Sequence, residues 1–117
     1  LLALDLGGAP WSVRRDAVTI RARRGAAWRR LGELDAAQRD LQAAGAALEP
    51  LHAAAPADEL RALGFLIHSE LASLAAASGA DHVAREEIAR AIDWHGVPDL
   101  ARDLLTARAE LQPLVDP

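Results

Sequence analysis

From Leu34 onward the apolar positions run Leu34, Ala37, Leu41, Ala44, Leu48 and Leu51, an alternation of three and four residues. That spacing places all six on one face of a helix. The same rhythm continues through Leu60, Leu63 or Gly64, Ile67, Leu71, Leu74 and Ser78, and then through Ala84, Ile88, Ala91 and Ile92. A last run places Leu100, Leu104, Ala107, Leu111 and Leu114 on one side. No stretch alternates apolar and polar residues as a half-buried strand would, so the pattern predicts an all-α chain.

The punctuation between these runs sets the expected boundaries. Ser12 is placed to cap a first helix running to about Leu31, which Gly32 ends. Asp35 and Gln38 form a capping-box-like start for the next helix, and Pro50 is expected to end or kink it near Leu48. Pro56, Asp58 and Glu59 suit a third N-terminus, and Gly79 with Asp81 separates the third helix from the fourth. The fourth ends at Gly96, and Pro98 with Asp99 opens a fifth over about 98–112. Residues 1–6 read as the tail of a helix broken by "GGAP". The expectation is five helices plus an N-terminal stub, joined by short turns and therefore packed antiparallel.

Composition narrows the function classes. Ala and Leu make up about two fifths of the 117 residues and aromatic residues 3%, which favours helix over sheet. There is no cysteine, so disulfides and thiolate metal sites are excluded. The net charge of −4 gives no general reason to expect nucleic acid. "LHAAAPA", read as the longest apolar stretch, is short and broken by Pro, so no membrane span is expected. The chain starts "LLALDLGGAP" with no signal-peptide pattern, and it is expected to be one domain, 1–117, of a longer bacterial, cytoplasmic protein. Its basic residues are all Arg, which fits genomic bias better than chemistry.

Sliding the chain against itself brings out an internal repeat. Gly25, Trp28, Gly32, Ala37, Leu41 and Ala44 recur 47 residues later as Ala72, Ala75, Gly79, Ala84, Ile88 and Ala91. Each set spans a helix, a Gly-centred turn and a second helix, with hairpins expected at about 12–49 and 57–95. Small residues at Gly25 or Ala72 and at Ala37 or Ala84 would let the helix axes approach more closely than the usual separation of about 8–10 Å. Trp28, Leu41 and Ile88 would then fill the space on either side.

These positions resemble the tetratricopeptide repeat family, whose unit places a small residue, a large one, a turn Gly, then Ala, a large residue and Ala at these offsets. The chain departs from that pattern at Ala75, where an aromatic residue is usual, and at Arg24, where a large apolar one is expected. Its period of 47 exceeds the family's 34, and the added residues fall around "EPLHAAAPADEL". A bundle of unrelated Ala-rich hairpins and a longer-period HEAT-like α-solenoid are the competing architectures. The resemblance implies a stacked α-solenoid whose first helices line a groove for a peptide or partner segment. Carried over by position, the groove residues are Thr19, Ala22, Ala26 and Arg29, then Leu66, Ser69, Ser73 and Ala76. The family subgroup that grips C-terminal carboxylates does so with Lys and Asn, and this chain has neither.

No catalytic pattern competes with that reading. His52, His68, His82 and His95 lack metal-ligand spacing and are expected at the surface or at helix ends. No phosphate loop, nucleophile elbow or dinucleotide fingerprint occurs, so neither enzyme activity nor a cofactor is expected. Arg14, Arg15, Arg21, Arg23, Arg24, Arg29 and Arg30 meet one acid, Asp16, in the first helix. At about 100° per residue they spread around most of that helix, which favours pairing with acids on adjacent helices over a nucleic-acid stripe. The expected function is non-catalytic protein–protein interaction. Homo-oligomerisation or regulation within a larger protein is one alternative, and Arg-mediated anion or nucleic-acid binding is another.

Overall fold

A computed structural model describes residues 10–115, so the stub expected at residues 1–6 lies outside the described part. The described residues form six helices and no strand: α1 (Trp11–Arg30), α2 (Leu34–Ala54), α3 (Asp58–Ala77), α4 (Asp81–His95), α5 (Pro98–Thr106) and α6 (Gln112–Val115). The all-α expectation holds.

The 47-residue repeat is reproduced in the backbone. Displacing α1 by 47 gives the bounds of α3, and displacing Leu34 gives Asp81, the first residue of α4. The two turns share one hydrogen-bond pattern. Glu33 N–H donates to the Trp28 carbonyl and Gly32 N–H to that of Arg29, while Ala80 donates to Ala75 and Gly79 to Ala76. This is the Schellman closure, which needs a left-handed residue just past the helix end. Gly32 at φ 81° and Gly79 at φ 78° supply it. Each turn leaves only three residues between helices, so α1–α2 and α3–α4 fold back as antiparallel hairpins. The contacts of Gly25 with Leu41 and of His68 with Glu87 recede from each turn in step.

The predicted faces mostly meet the core. Ala37, Leu41, Ala44, Leu48 and Leu51 are buried on α2, and Leu60, Leu63, Ile67, Leu71 and Leu74 on α3. Leu34, at the first position of α2, is exposed instead. Helix α3 is buried on several sides because it packs against α1, α2 and α4. It is the one described helix long and apolar enough to cross a membrane by composition, a length the sequence reading assigned to no segment. More than half of that stretch is buried inside the protein.

Several boundaries differ from expectation. Ser12 does not cap α1, which begins at Trp11 after Pro10, where the proline's lack of an N–H costs nothing. Asp35 and Asp81 lie inside their helices after Glu33 and Ala80, and no side chain caps either N-terminus. Their charge still suits the first turn through the helix dipole. Pro50 does not end α2, which continues to Ala54. Ala46 and Pro50 are both exposed, so water can take the unpaired carbonyl, while buried Leu48 and Leu51 hold the helix on course.

The C-terminal part departs most. The fifth helix stops at Thr106 rather than about 112, and a turn leads to the four-residue α6. Leu100 and Leu104 are exposed, whereas Ala101 and Leu105 are buried, a rotation of one position from the expected face. Leu105 and Leu111 join Ala72, Ile88 and Ala91 in a second core cluster beside the larger one built by α1, α2 and α3.

Candidate interaction groove

The first helices of the two hairpins lie side by side. An Arg15 Nη1 donates to Glu59 at 3.2 Å near their N-termini, and Arg29 Nε donates to Glu70 farther along. Between them, toward the N-terminal ends, is an open hollow of about 420 Å³. One wall carries Arg15, Asp16, Thr19 and Arg23, and the other Glu59, Ala62, Leu63 and Leu66. Arg15 is fixed at its rim by Asp16, by Glu59 and by the Trp11 ring, whose centroid lies 5.3 Å from the guanidinium carbon. The hollow is thus mixed in character: an aliphatic floor from α3 and charged groups of both signs on its edge.

At the other end the groove is filled by the chain itself. Glu70 is 1% exposed, yet its carboxylate receives Arg29 on one side and Arg108 Nη2, at 2.9 Å, on the other. Ser73 Oγ donates to Glu110 at 2.7 Å and accepts from Arg108 Nη1 at 3.1 Å. Burial alone would push the Glu70 carboxyl above its ordinary pKa, but the two guanidinium donors outweigh it and hold the group below that value. A buried carboxylate is tolerated only when paired in this way. The segment after α5 is tied to α3 by Arg108 and Glu110, and its fully buried Leu111 packs among Ala72, Ile88, Ala91 and Leu105.

The residues expected to line the groove divide into three groups. Thr19 and Leu66 border the hollow, although the Thr19 hydroxyl is occupied by the Arg15 carbonyl. Ala22, Ala26 and Ser69 are buried between helices, with the Ser69 hydroxyl donating to the Phe65 carbonyl, so they line no surface. Arg29 and Ser73 face the C-terminal segment through Glu70 and Arg108, and Ala76 packs against the cluster that includes Leu111. Sequence reasoning missed Glu70, although a single acid inside "GFLIHSELASLAAA" was a visible signal. It missed Arg108 and Glu110 too, because their partners lie more than thirty residues away.

The arginines of α1 pair in part as expected. Arg15, Arg24 and Arg29 reach acids, with Arg24 gripping Asp40 of α2 through two bonds of 2.6 and 2.7 Å. Those bonds lower the Asp40 pKa despite its burial. Arg14, Arg21, Arg23 and Arg30 have no ion-pair partner among the described residues. One histidine, His68, corrects the expectation of surface or helix-end positions, while His52 and His95 stand in the last turns of α2 and α4. His68 is buried and its Nδ1 lies 2.7 Å from Glu87 of α4, and His52 lies edge-on to Trp94 at 5.0 Å between ring centroids. Packing of α3 against α2 and α4 encloses these rings. Only His82 is open to solvent along most of its side chain. Among the described residues no three His, Asp or Glu side chains gather as a metal set.

Comparison with protein-family models, with curated proteins and with solved structures finds no match for the chain.

Proposed function

We propose that the chain is a tetratricopeptide-like array of two helical hairpins that acts as a non-catalytic interaction module and takes a partner segment along the α1–α3 face. The observation that supports it is the pairing of a 47-residue structural repeat with an open hollow between its two first helices. A solenoid of hairpins leaves such a hollow because each first helix packs on its counterpart along one edge only. The aliphatic floor of Ala62, Leu63 and Leu66 offers apolar burial, and the Arg15, Arg23, Asp16 and Glu59 rim offers charge matching at both signs.

The test is selection of binders from a random peptide library on the full chain, followed by titration against Leu66→Asp. Peptides that bind the native chain and lose affinity for the variant, with its melting temperature retained, support the reading. Failure to select any peptide, or equal binding to the variant, overturns it. Self-association is a second reading, favoured by Val97, Leu100 and Leu104, which are about half exposed at one edge of the fold. Light scattering separates the two: a tight dimer that Leu100→Glu/Leu104→Glu dissolves supports self-association, and a monomer removes it.

A further inference from the structure

The 47-residue displacement picks out one face of α1. Helix α3 buries Leu60, Leu63, Ile67, Leu71 and Leu74 in the core it shares with α1 and α2. A Cβ on Gly45 of α2 would lie 3.6 Å from Ile67, which sets this face of α3 against α2. The residues 47 positions earlier are Val13, Asp16, Ile20, Arg24 and Ala27, and all five are exposed. Helix α1 thus presents, open to solvent, the face by which the second hairpin docks onto the first. A stack that ended there would carry a polar outer face. Instead Val13, Ile20 and Ala27 stand seven residues apart on nearly one line, with Val13 47% and Ile20 66% exposed.

The opposite end of the stack is unfinished as well. Helix α5 turns Ala101 and Leu105 inward and leaves Leu100 and Leu104, with Val97 just before it, about half exposed. The two ends differ in charge. Residues 11–54 carry eight arginines and five acids, and residues 58–106 four arginines and nine acids. Arg23 lies about 60° around α1 from Ile20, and Asp103 about 60° around α5 from Leu100. Both are exposed, and neither has an ion-pair partner among the described residues.

We propose that the chain associates head to tail, the Val97–Leu104 edge of one copy docking on the Val13–Ile20–Ala27 stripe of α1 in the next. This rests on the self-association reading of the α5 edge and adds the surface that receives it. Apolar side chains meet at the centre, and Asp103 comes to the arginine flank of the stripe. The contact joins two different surfaces, so each bound pair keeps one free end of each kind and can extend. An α5 edge paired with its own copy would bring Asp103 toward Asp103 instead. A nine-residue helix buries little area, so the association is weak, grows with protein concentration and falls with added salt.

The experiment is analytical ultracentrifugation of the full chain over rising concentration. The native chain is expected to exceed the monomer mass progressively, and less so in high salt. Ile20→Glu and Leu104→Glu, both at exposed positions, are each expected to weaken association by on the order of tenfold or more with the melting temperature retained. Mixed in equal amounts, the two variants are expected to form a dimer that grows no further, because each supplies the surface the other has lost. A native chain that stays monomeric overturns both this proposal and the self-association reading. Association kept by Ile20→Glu and lost by Leu104→Glu leaves self-association standing through α5 alone and overturns the head-to-tail contact. Failure of the mixture to dimerise overturns it too. Should either variant lose its fold, Arg23→Glu and Asp103→Arg take their places with the same expected outcomes.

Discussion

Gly25 of α1 rests on Leu41 of α2 so closely that a Cβ at residue 25 would stand 2.6 Å from the Leu41 Cγ and 3.3 Å from the Ala37 carbonyl oxygen. Leu41 is fully buried and cannot swing aside. Gly25→Leu, and Ala37→Leu on the opposite helix, are each expected to cost about 1–3 kcal/mol by overpacking. Urea unfolding measures it, and unchanged midpoints in both variants would remove close packing as the reason for small residues here.

The second hairpin has its own version of this contact, at a position the repeat did not mark. A Cβ on Gly64 would run into the Trp94 indole of α4. Gly64→Ala is expected to lower the melting temperature, and Trp94→Leu in the same chain to recover part of the loss. Additive losses in the double variant would show that the two residues do not share this space.

Much of this frame could be read before any coordinates. The Gly-centred turns, the small residues along the hairpin contact and the five main helices all leave local signatures, because backbone geometry and helical period act within a few residues. The C-terminal segment left no such signature. Leu100 and Leu104 fit a helical stripe as well as Ala101 and Leu105 do, and only packing against α3 and α4 chooses between them. Glu70 shows the same limit in the groove. Its type and isolation were visible, but its partners come from residues 29 and 108, and no local rule joins those. Pro50 does not end α2, because the loss of one hydrogen bond is outweighed by Leu48 and Leu51, buried on either side of it.

Gly32→Ala and Gly79→Ala test the turns without touching packing, since no heavy atom lies within 4 Å of the position a Cβ would take. Each is expected to cost about 1–2 kcal/mol through the left-handed backbone alone. Similar values at the two sites are expected, because their hydrogen bonds are equivalent. A negligible effect at either would contradict the strain argument.

Pro50→Ala is expected to stabilise the chain by about 1–3 kcal/mol, because it restores an N–H for the Ala46 carbonyl and removes a ring clash. The side chain is exposed, so no packing is lost. A lower melting temperature would mean that the proline shapes the approach of α2 to α3.

Acid should loosen the fold in a defined direction. Glu70 and Asp40 have pKa values below their ordinary ones, so their ionised forms stabilise the folded state. That contribution is complete above the ordinary carboxyl pKa of about 4 and is lost as pH falls through the depressed values. Glu70→Gln is expected to lower stability at neutral pH by about 2–3 kcal/mol, a partial form of breaking a buried pair because both arginines keep some contact with water. It should also flatten the loss below about pH 4. An unchanged acid limb in the melting profile would assign the pH dependence to other groups.

The three-residue turns also govern the order of events during folding. Each joins helices whose contacts begin within about ten residues along the chain, so loop closure costs little and hairpin formation can be fast. Arg108 reaches Glu70 only across a separation of thirty-eight residues, and only after α3 and α4 have met. The hairpins are therefore expected to form in the early kinetic phase and the C-terminal segment to dock last. During synthesis, the Glu70 carboxylate would lack its second guanidinium until Arg108 emerges.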